Sequence, residues 1–319
     1  METEVQSLAV SLSEAVKYAK ITNLADILFK QAVLQKDKAT QLNPSLQAYQ
    51  DICDNTAFQS LVDQDFFTNY NLLYNIQMND IIAPGAGLDL VYYGFIAQNK
   101  TTKEYVVAIR GTENLLEAIA DSFFVPTAFK EFNNNAVVPA GFYDLYESGL
   151  VVSPPDSPLQ VIPLLLPLLA ADPTALMPDV MKVRTVVNGH SLGASLATYL
   201  AAALAVGKGQ GMDLCVYTYA SPLSGNAAFA ATYNDSVKVN YRIHNLPDGV
   251  PSLPQFPLNG PNIYVPVAGG YQIDSSKYPQ VKPGAGCAHQ LPVYQYTLDR
   301  LNGIDNPDIL NFNKGNCKA

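Results

Sequence analysis

An apolar run that turns almost directly into a helix-forming segment constrains the fold of this chain more than any other feature. Residues 183–188 (VRTVVN) are rich in β-branched side chains and predict a buried strand. Residues 191–206 (SLGASLATYLAAALAV) are rich in Ala and Leu and predict a helix. Only a glycine and a histidine separate the two segments, so the sequence predicts a tight strand-to-helix turn with Ser191 in it.

Further strand patterns alternate with helical stretches along the chain. They lie at residues 88–98, 104–112, 213–220 and 237–245, the first two forming a hairpin around a turn near 99–102. This alternation predicts an α/β fold with a mostly parallel central sheet and helices on both faces. Residues 1–80 show mainly helical spacing and are expected to form an N-terminal extension packed on the core. We expect residues 1–319 to form a single domain.

Charge and hydropathy exclude several classes of partner. The chain has 28 acidic and 19 basic residues, a net charge of -9, which disfavours nucleic acids and anionic membrane surfaces. The longest apolar run, residues 159–171, is too short to span a bilayer and contains two prolines, so we expect a core or surface-cap helix there. No transmembrane segment and no secretory signal are visible.

The four cysteines are too few for their spacing to define a disulfide framework. Cys215 lies in an apolar run and is expected to be a small buried residue. A bond between Cys287 and Cys317 is one possibility. The sequence offers no group of residues at zinc-binding spacing, and we expect neither a metal nor an organic cofactor.

The turn itself has the pattern Gly-x-Ser-x-Gly over residues 189–193, which suggests a nucleophilic serine. Glycines on both sides keep side chains out of a crowded bend, and the following helix N-terminus offers N–H groups to a developing oxyanion. Ser191 would then point outward above the carboxyl end of the sheet. The alternative is a chance match in which Ser191 only caps the helix.

A nucleophilic serine needs a base and an acid. In serine hydrolases with this motif the chain order is nucleophile, acid, histidine, and His244 and His289 both follow Ser191. His244 lies inside a predicted strand, which favours a structural role, so His289 is the better base. Asp248 follows that strand in a turn rich in Pro and Gly, and we expect it to orient His289. A purely turn-forming role for Asp248 is the alternative.

Several motifs in order over residues 88–300 resemble those of class 3 lipases, the family that includes fungal triacylglycerol lipases. They are VVAIRGT (106–112), AGFYDLY (140–146), GHSLGASLA (189–197), YTYASPLSGN (217–226) and HNLPDGVPSLP (244–254), followed by His289 and then Tyr294. The resemblance implies an α/β-hydrolase fold. It also implies that Thr112 and Leu192 form the oxyanion hole, and that Phe142, Leu192 and Val250 lie near the acyl pocket.

The resemblance further implies a lid over residues 113–127. Its apolar face would consist of Leu115, Leu116, Ile119, Phe123 and Phe124. An ordinary core-facing helix is the alternative. The chain departs from the family at Ala194-Ser195, where a second glycine is common, and it contains no tryptophan to anchor a lid at an interface.

The sequence therefore predicts a lipase-like serine carboxylic-ester hydrolase that cleaves acylglycerols or other lipid esters at a lipid–water interface. A soluble-ester, phospholipid or feruloyl esterase is the alternative within the same chemistry. A noncatalytic binding protein with this fold is the alternative from another class. The resemblance favours a secreted mature form, with a cytoplasmic location as the other possibility.

Overall fold

The computed structural model of the chain describes residues 9–80, 89–112, 124–132, 134–257, 259–312 and 317–319. The strands are β1 (Tyr70–Asp80), β2 (Asp89–Asn99), β3 (Tyr105–Ile109), β4 (Pro126–Ala128), β5 (Val137–Pro139), β6 (Leu150–Val152), β7 (Leu164–Leu165), β8 (Thr185–His190), β9 (Leu214–Tyr219), β10 (Gly225–Asn226), β11 (Val239–Asn245), β12 (Tyr264–Val265) and β13 (Gly270–Ile273). The α-helices are α1 (Leu12–Leu34), α2 (Lys38–Leu42), α3 (Leu46–Asp54), α4 (Phe66–Asn69), α5 (Ala140–Glu147), α6 (Leu166–Ala171), α7 (Leu192–Val206), α8 (Ala227–Ser236), α9 (Ala285–Ala288) and α10 (Leu291–Leu301).

Nine strands form one central sheet in the order β13-β11-β9-β8-β3-β2-β1-β6-β7. The neighbours from β3 to β13 all pair in parallel. The neighbours from β3 to β7 pair antiparallel, beginning with the predicted β2–β3 hairpin. The predicted α/β architecture is confirmed, and the parallel part brings the carboxyl ends of β3, β8, β9 and β11 to one edge of the sheet.

Helices cover both faces of the sheet. Alternate residues of β3 show this, since Val107 and Ile109 belong to one buried cluster while Val106 and Ala108 belong to the other. The first cluster takes its helical side chains from α5, α6, α7 and α8, and the second takes them from α1, α3 and α10. Because both faces are buried, the parallel strands are almost continuously apolar rather than alternating.

The helical prediction for residues 1–80 is correct for α1 to α3 and wrong at its C-terminal end. Tyr70–Asp80 is a strand that pairs with β2 and β6 inside the central sheet. Its residues 74–78 are all buried, so burial on both faces removes the two-residue alternation that would have marked a strand.

The apolar run at 159–171 is helical only from Leu166 to Ala171. The residues before it form an extended segment in which Ile162 is 89% exposed, so this part does not belong to the core. Among the described helices, none has the length and apolar character needed to cross a bilayer.

Cys287 and Cys317 form a disulfide bond, the pairing that the sequence analysis named as one possibility. Cys53 and Cys215 are buried free thiols. Burial raises the pKa of Cys215 to about 11. The disulfide fastens the C-terminal residues of the chain next to the segment that ends in His289.

Candidate active site

Ser191 occupies the tight turn between β8 and α7 in a strained backbone conformation. Its φ of 57° and ψ of -129° are rarely adopted by a residue with a side chain. The turn depends on its two glycines: a Cβ on Gly189 would lie 2.3 Å from the Gly193 carbonyl oxygen, and one on Gly193 would lie 2.2 Å from that of Arg110. The predicted Gly-x-Ser-x-Gly turn is therefore present, with both glycines required by close backbone contacts.

The structure brings the three residues predicted from the sequence together. Ser191 Oγ lies 2.8 Å from His289 Nε2, and His289 Nδ1 lies 2.9 Å from Asp248 Oδ2. Ser191 comes from the end of β8, Asp248 from the turn after β11, and His289 from the residue after α9. Such a chain of hydrogen bonds lets an imidazole accept a hydroxyl proton while a carboxylate holds its tautomer.

Asp248 is held as a carboxylate by three hydrogen-bond donors. Besides His289, the Val250 N–H donates to Oδ1 at 3.0 Å and the Tyr294 hydroxyl donates to Oδ2 at 2.8 Å. Burial raises the pKa of Asp248, but these hydrogen bonds outweigh it and keep the pKa below the ordinary value. Burial also raises the pKa of Tyr294 well above its ordinary value, so this phenol remains a donor.

Two further residues hold the segment that bears His289. His190 Nε2 donates to the His289 carbonyl oxygen at 2.8 Å. Asn245 Nδ2 donates to the Ala288 carbonyl oxygen at 2.9 Å, so the end of β11 is tied to α9. Burial, helped by the nearby His289, lowers the pKa of His190 to about 3, and this ring is neutral at physiological pH.

The two predicted oxyanion residues belong to two segments that adjoin Ser191. Leu192 is the first residue of α7, where backbone N–H groups have no partner within the helix, and its side chain is buried. Thr112 follows Gly111, on which a Cβ would lie only 3.0 Å from the Ser191 Cβ. The two segments are thus packed directly against the serine. Oxyanion stabilisation by these residues stays a prediction.

Asp248 and His289 line a cavity of about 800 Å³. Its described lining consists of Asp26, Lys30, Gly111, Thr112, His190, Asp248, Gly249, Val250, Leu253, Ala285, Gly286, Cys287, His289, Gln290, Phe312 and Cys317. Val250 thus lines the cavity, and its contact with substrate stays a prediction. Phe142 is buried in the core, edge-to-face against Phe124 with ring centroids 5.6 Å apart, and its substrate contact stays a prediction.

Most of the predicted lid lies outside the described residues, which leave out 113–123. At its C-terminal end, Phe124 is buried and its carbonyl oxygen accepts a hydrogen bond from the Tyr264 hydroxyl at 2.6 Å. Residues 126–128 form β4 and pair with β5. This end of the predicted lid is therefore anchored to the core.

Sequence reasoning did not predict that α1 lines the cavity, or which residues hold Asp248 and the segment that bears His289. Asp26 and Lys30 of α1 line the cavity and form an ion pair at 2.6 Å, one helical turn apart. Their i,i+4 spacing was visible, but nothing in the sequence placed α1 beside the serine. Tyr294 was noted only as part of the family resemblance, and Asn245 was not noted at all, because their partners are distant in the chain.

The described residues contain no group of three or more His, Cys, Asp or Glu side chains arranged to hold a metal ion. The ionisable side chains among the described residues that line the cavity are instead Asp26, Lys30, His190, Asp248 and His289.

Comparison with solved structures shows the fold. A triacylglycerol lipase structure, described as having a serine protease triad as its catalytic centre, superposes with a TM-score of 0.55 at 22% identity. The superposition covers 85% of this chain and 84% of that one. The fold is therefore that of an α/β-hydrolase.

Sequence comparison points to a family for the central part of the chain. Residues 106–257, just under half of the chain, match the family model described as lipase (class 3), and this part of the chain is similar to that family. Secreted mono- and diacylglycerol lipase A of Penicillium cyclopium is 34% identical over 183 residues, which cover 57% of this chain and 52% of that protein. Phospholipase A1-II 5 of Oryza sativa subsp. japonica is 33% identical over 129 residues, which cover 38% and 27%. The chain spans about half or less of the length of these relatives.

Proposed function

We propose that this protein is a serine carboxylic-ester hydrolase that cleaves lipid esters through an acyl-enzyme. The observation that carries the proposal is the continuous hydrogen-bond chain from Ser191 through His289 to Asp248, because two of its members, His289 and Asp248, line a large cavity. The named activities of the relatives, on mono- and diacylglycerols and on phospholipids, support a lipid-ester substrate. Acylglycerols are the substrate class that we favour.

In the first half of the proposed reaction, Ser191 Oγ attacks the ester carbonyl carbon while His289 Nε2 takes the hydroxyl proton. Asp248 stabilises the imidazolium that forms. The negative charge on the carbonyl oxygen is stabilised by the backbone N–H groups of Thr112 and Leu192. The tetrahedral intermediate then collapses, the C–O bond to the alcohol breaks, and His289 protonates the leaving alkoxide.

In the second half, water attacks the acyl carbon and gives its proton to His289. Collapse of the second tetrahedral intermediate releases the fatty acid and returns the proton to Ser191 Oγ. Residues 113–127 would cover the site in water and expose it at a lipid–water interface. The chain would act as a single domain, because α1 packs against α10 and shares the core of the central sheet.

The test is ester turnover by the wild-type protein and by Ser191→Ala. We expect hydrolysis of p-nitrophenyl esters by the wild type and at least a 1,000-fold loss in the variant, the scale on which loss of a triad residue acts. Unchanged turnover by Ser191→Ala would refute the proposal and leave a noncatalytic binding role.

The substrate class is tested separately. Rates are measured across acyl chain lengths and on emulsified acylglycerol, phospholipid and a soluble feruloyl ester. We expect the highest kcat/KM on acylglycerols with chains longer than acetate. A maximum at acetate with no increase at an interface would identify a soluble-ester hydrolase instead.

A further inference from the structure

Arg110 is a fully buried cation directly before the segment that contains Thr112. Its side chain is 2% exposed, and its hydrogen bonds within the described residues go only to backbone carbonyl oxygens. Nε donates to the Tyr92 oxygen at 2.7 Å and Nη1 donates to the Gly111 oxygen at 2.8 Å. Burying a charge costs free energy unless other groups compensate for it, so this guanidinium must be stabilised by specific interactions.

Aromatic rings enclose the guanidinium. Its central carbon lies 3.5 Å from the ring centroid of Phe29 in α1 and 4.3 Å from that of Tyr93 in β2. Cation–π contacts of this kind stabilise a cation away from water and restrict its orientation. Phe29 is itself 9% exposed, so α1 closes the site of Arg110 on one side. The guanidinium is therefore held rigidly against the Gly111 carbonyl oxygen.

The Gly111 carbonyl and the Thr112 N–H belong to the same peptide group. This peptide is trans, so the two groups are fixed in one plane and point in opposite directions. A donor that holds the carbonyl therefore also fixes the direction of the N–H. Hydrogen bonds in a chain polarise one another, and a cation on the carbonyl oxygen makes the N–H a stronger donor.

The backbone of residues 110–111 packs directly against the nucleophile. A Cβ on Gly193 would lie 2.2 Å from the Arg110 carbonyl oxygen, and a Cβ on Gly111 would lie 3.0 Å from the Ser191 Cβ. The backbone of residues 110–111 thus touches both the serine and the start of α7. A small rotation of the Gly111–Thr112 peptide would change the distance between the two proposed oxyanion donors.

From these contacts we propose that Arg110 is a positioning residue for the oxyanion hole, acting through the Gly111–Thr112 peptide and held in place by Phe29 of the N-terminal helix. This inference rests on the proposed ester hydrolysis. It assigns α1 a role in the reaction, although α1 lies far from the motif residues in the sequence.

The test uses Arg110→Met, which keeps an unbranched apolar stem and removes the charge and both hydrogen bonds. We expect kcat to fall about 10- to 100-fold with KM within about threefold, because loss of one oxyanion donor lowers kcat about 100- to 1,000-fold and misorientation should cost less. The affinity for a trifluoromethyl ketone, which forms a tetrahedral adduct with the serine, should fall by the same factor as kcat/KM. Arg110→Lys should recover part of both losses. Native kcat and native inhibitor affinity in Arg110→Met would overturn the inference.

Arg184→Met is the matched control. Arg184 precedes β8 at the opposite edge of the sheet and pairs with Glu14 at 2.6 Å. Its loss should lower Tm while kcat and inhibitor affinity stay within about twofold. An equal loss of inhibitor affinity in Arg184→Met would mean that the effect reports general destabilisation, and it would overturn the positioning role.

Two further variants separate the possible failures. If Arg110→Met does not fold, Phe29→Leu removes the ring over the guanidinium and should lower kcat about 3- to 10-fold; unchanged kcat there would overturn the inference. Ser191→Ala reports on the proposed function alone. Turnover that persists in Ser191→Ala refutes ester hydrolysis by this site, whereas an inactive Ser191→Ala beside a fully active Arg110→Met refutes only the role of Arg110.

Discussion

Removal of the Tyr294 hydroxyl should destabilise the protein and disturb Asp248 at the same time. The hydroxyl donates to Asp248 Oδ2 at 2.8 Å and accepts from the Asn245 N–H at 3.0 Å, and all of these groups are buried. In Tyr294→Phe, a hydrogen bond to a charged group worth about 1.5–3 kcal/mol is lost. A buried N–H is also left without a partner, which costs about 1–3 kcal/mol. We expect the free energy of unfolding to fall by about 2.5–6 kcal/mol, the sum of these two contributions.

Urea unfolding measures this change, and Tyr296→Phe on the same helix is the control. The Tyr296 hydroxyl donates to the exposed Asp305 at 3.2 Å, so its loss should cost less than about 1 kcal/mol. Equal losses in the two variants would refute the reasoning.

Activity gives a second result for Tyr294→Phe. The missing donor should raise the pKa of Asp248 toward its ordinary value, so the decline of kcat/KM on acidification should begin at a higher pH. An unchanged acid limb of the pH profile would contradict the role of Tyr294 as a donor to the carboxylate.

Three other perturbations follow from the site. Because the pKa of His190 is lowered to about 3 in the folded protein, the unfolded chain binds more protons below pH 6.5. The stabilisation from His190 is therefore complete above pH 6.5 and is lost toward pH 3, by up to about 1.4 kcal/mol per pH unit. His190→Gln should flatten this slope when the free energy of unfolding is measured in urea across the pH range. Gly193→Ala places a methyl group 2.2 Å from a backbone oxygen and should lower the free energy of unfolding by about 2 kcal/mol or more. In the control Gly286→Ala the added methyl group has no neighbour within 4 Å, so Tm should change little. Similar Tm values for the two variants would contradict the close contact at Gly193. The Cys287–Cys317 bond joins residues 30 positions apart. Replacing both cysteines by Ser should lower the free energy of unfolding by about 2–4 kcal/mol. A change below about 0.5 kcal/mol would refute the stabilising role of the bond.

Local sequence patterns were sufficient for the elements that bear the site. The strand and helix around Ser191 follow from β-branched and Ala/Leu-rich segments of ordinary length, and the two glycines specify the turn between them. Asp248 and His289 could be selected because only two histidines follow the serine and only one Asp directly follows a strand in a Pro- and Gly-rich turn.

The parts that could not be predicted depend on contacts between distant segments. Strand β1 lost its alternating pattern because both faces are buried, and the sequence therefore resembled a helix there. The placement of α1 over Arg110 depends on how Phe29 packs against a residue 81 positions later (110 − 29), which no local pattern encodes. The hydroxyl of Tyr294 became relevant only once α10 was placed beside the turn that bears Asp248.

Covalent trapping tests the central claim most directly. The wild-type protein is treated with an active-serine fluorophosphonate, and the labelled residue is identified by peptide mass spectrometry, with Ser191→Ala and His289→Ala treated in parallel. We expect one label, on Ser191, absent in Ser191→Ala and formed at least 100-fold more slowly in His289→Ala, since the imidazole activates the hydroxyl. A label on another residue, or the same rate of labelling in His289→Ala, would contradict the account.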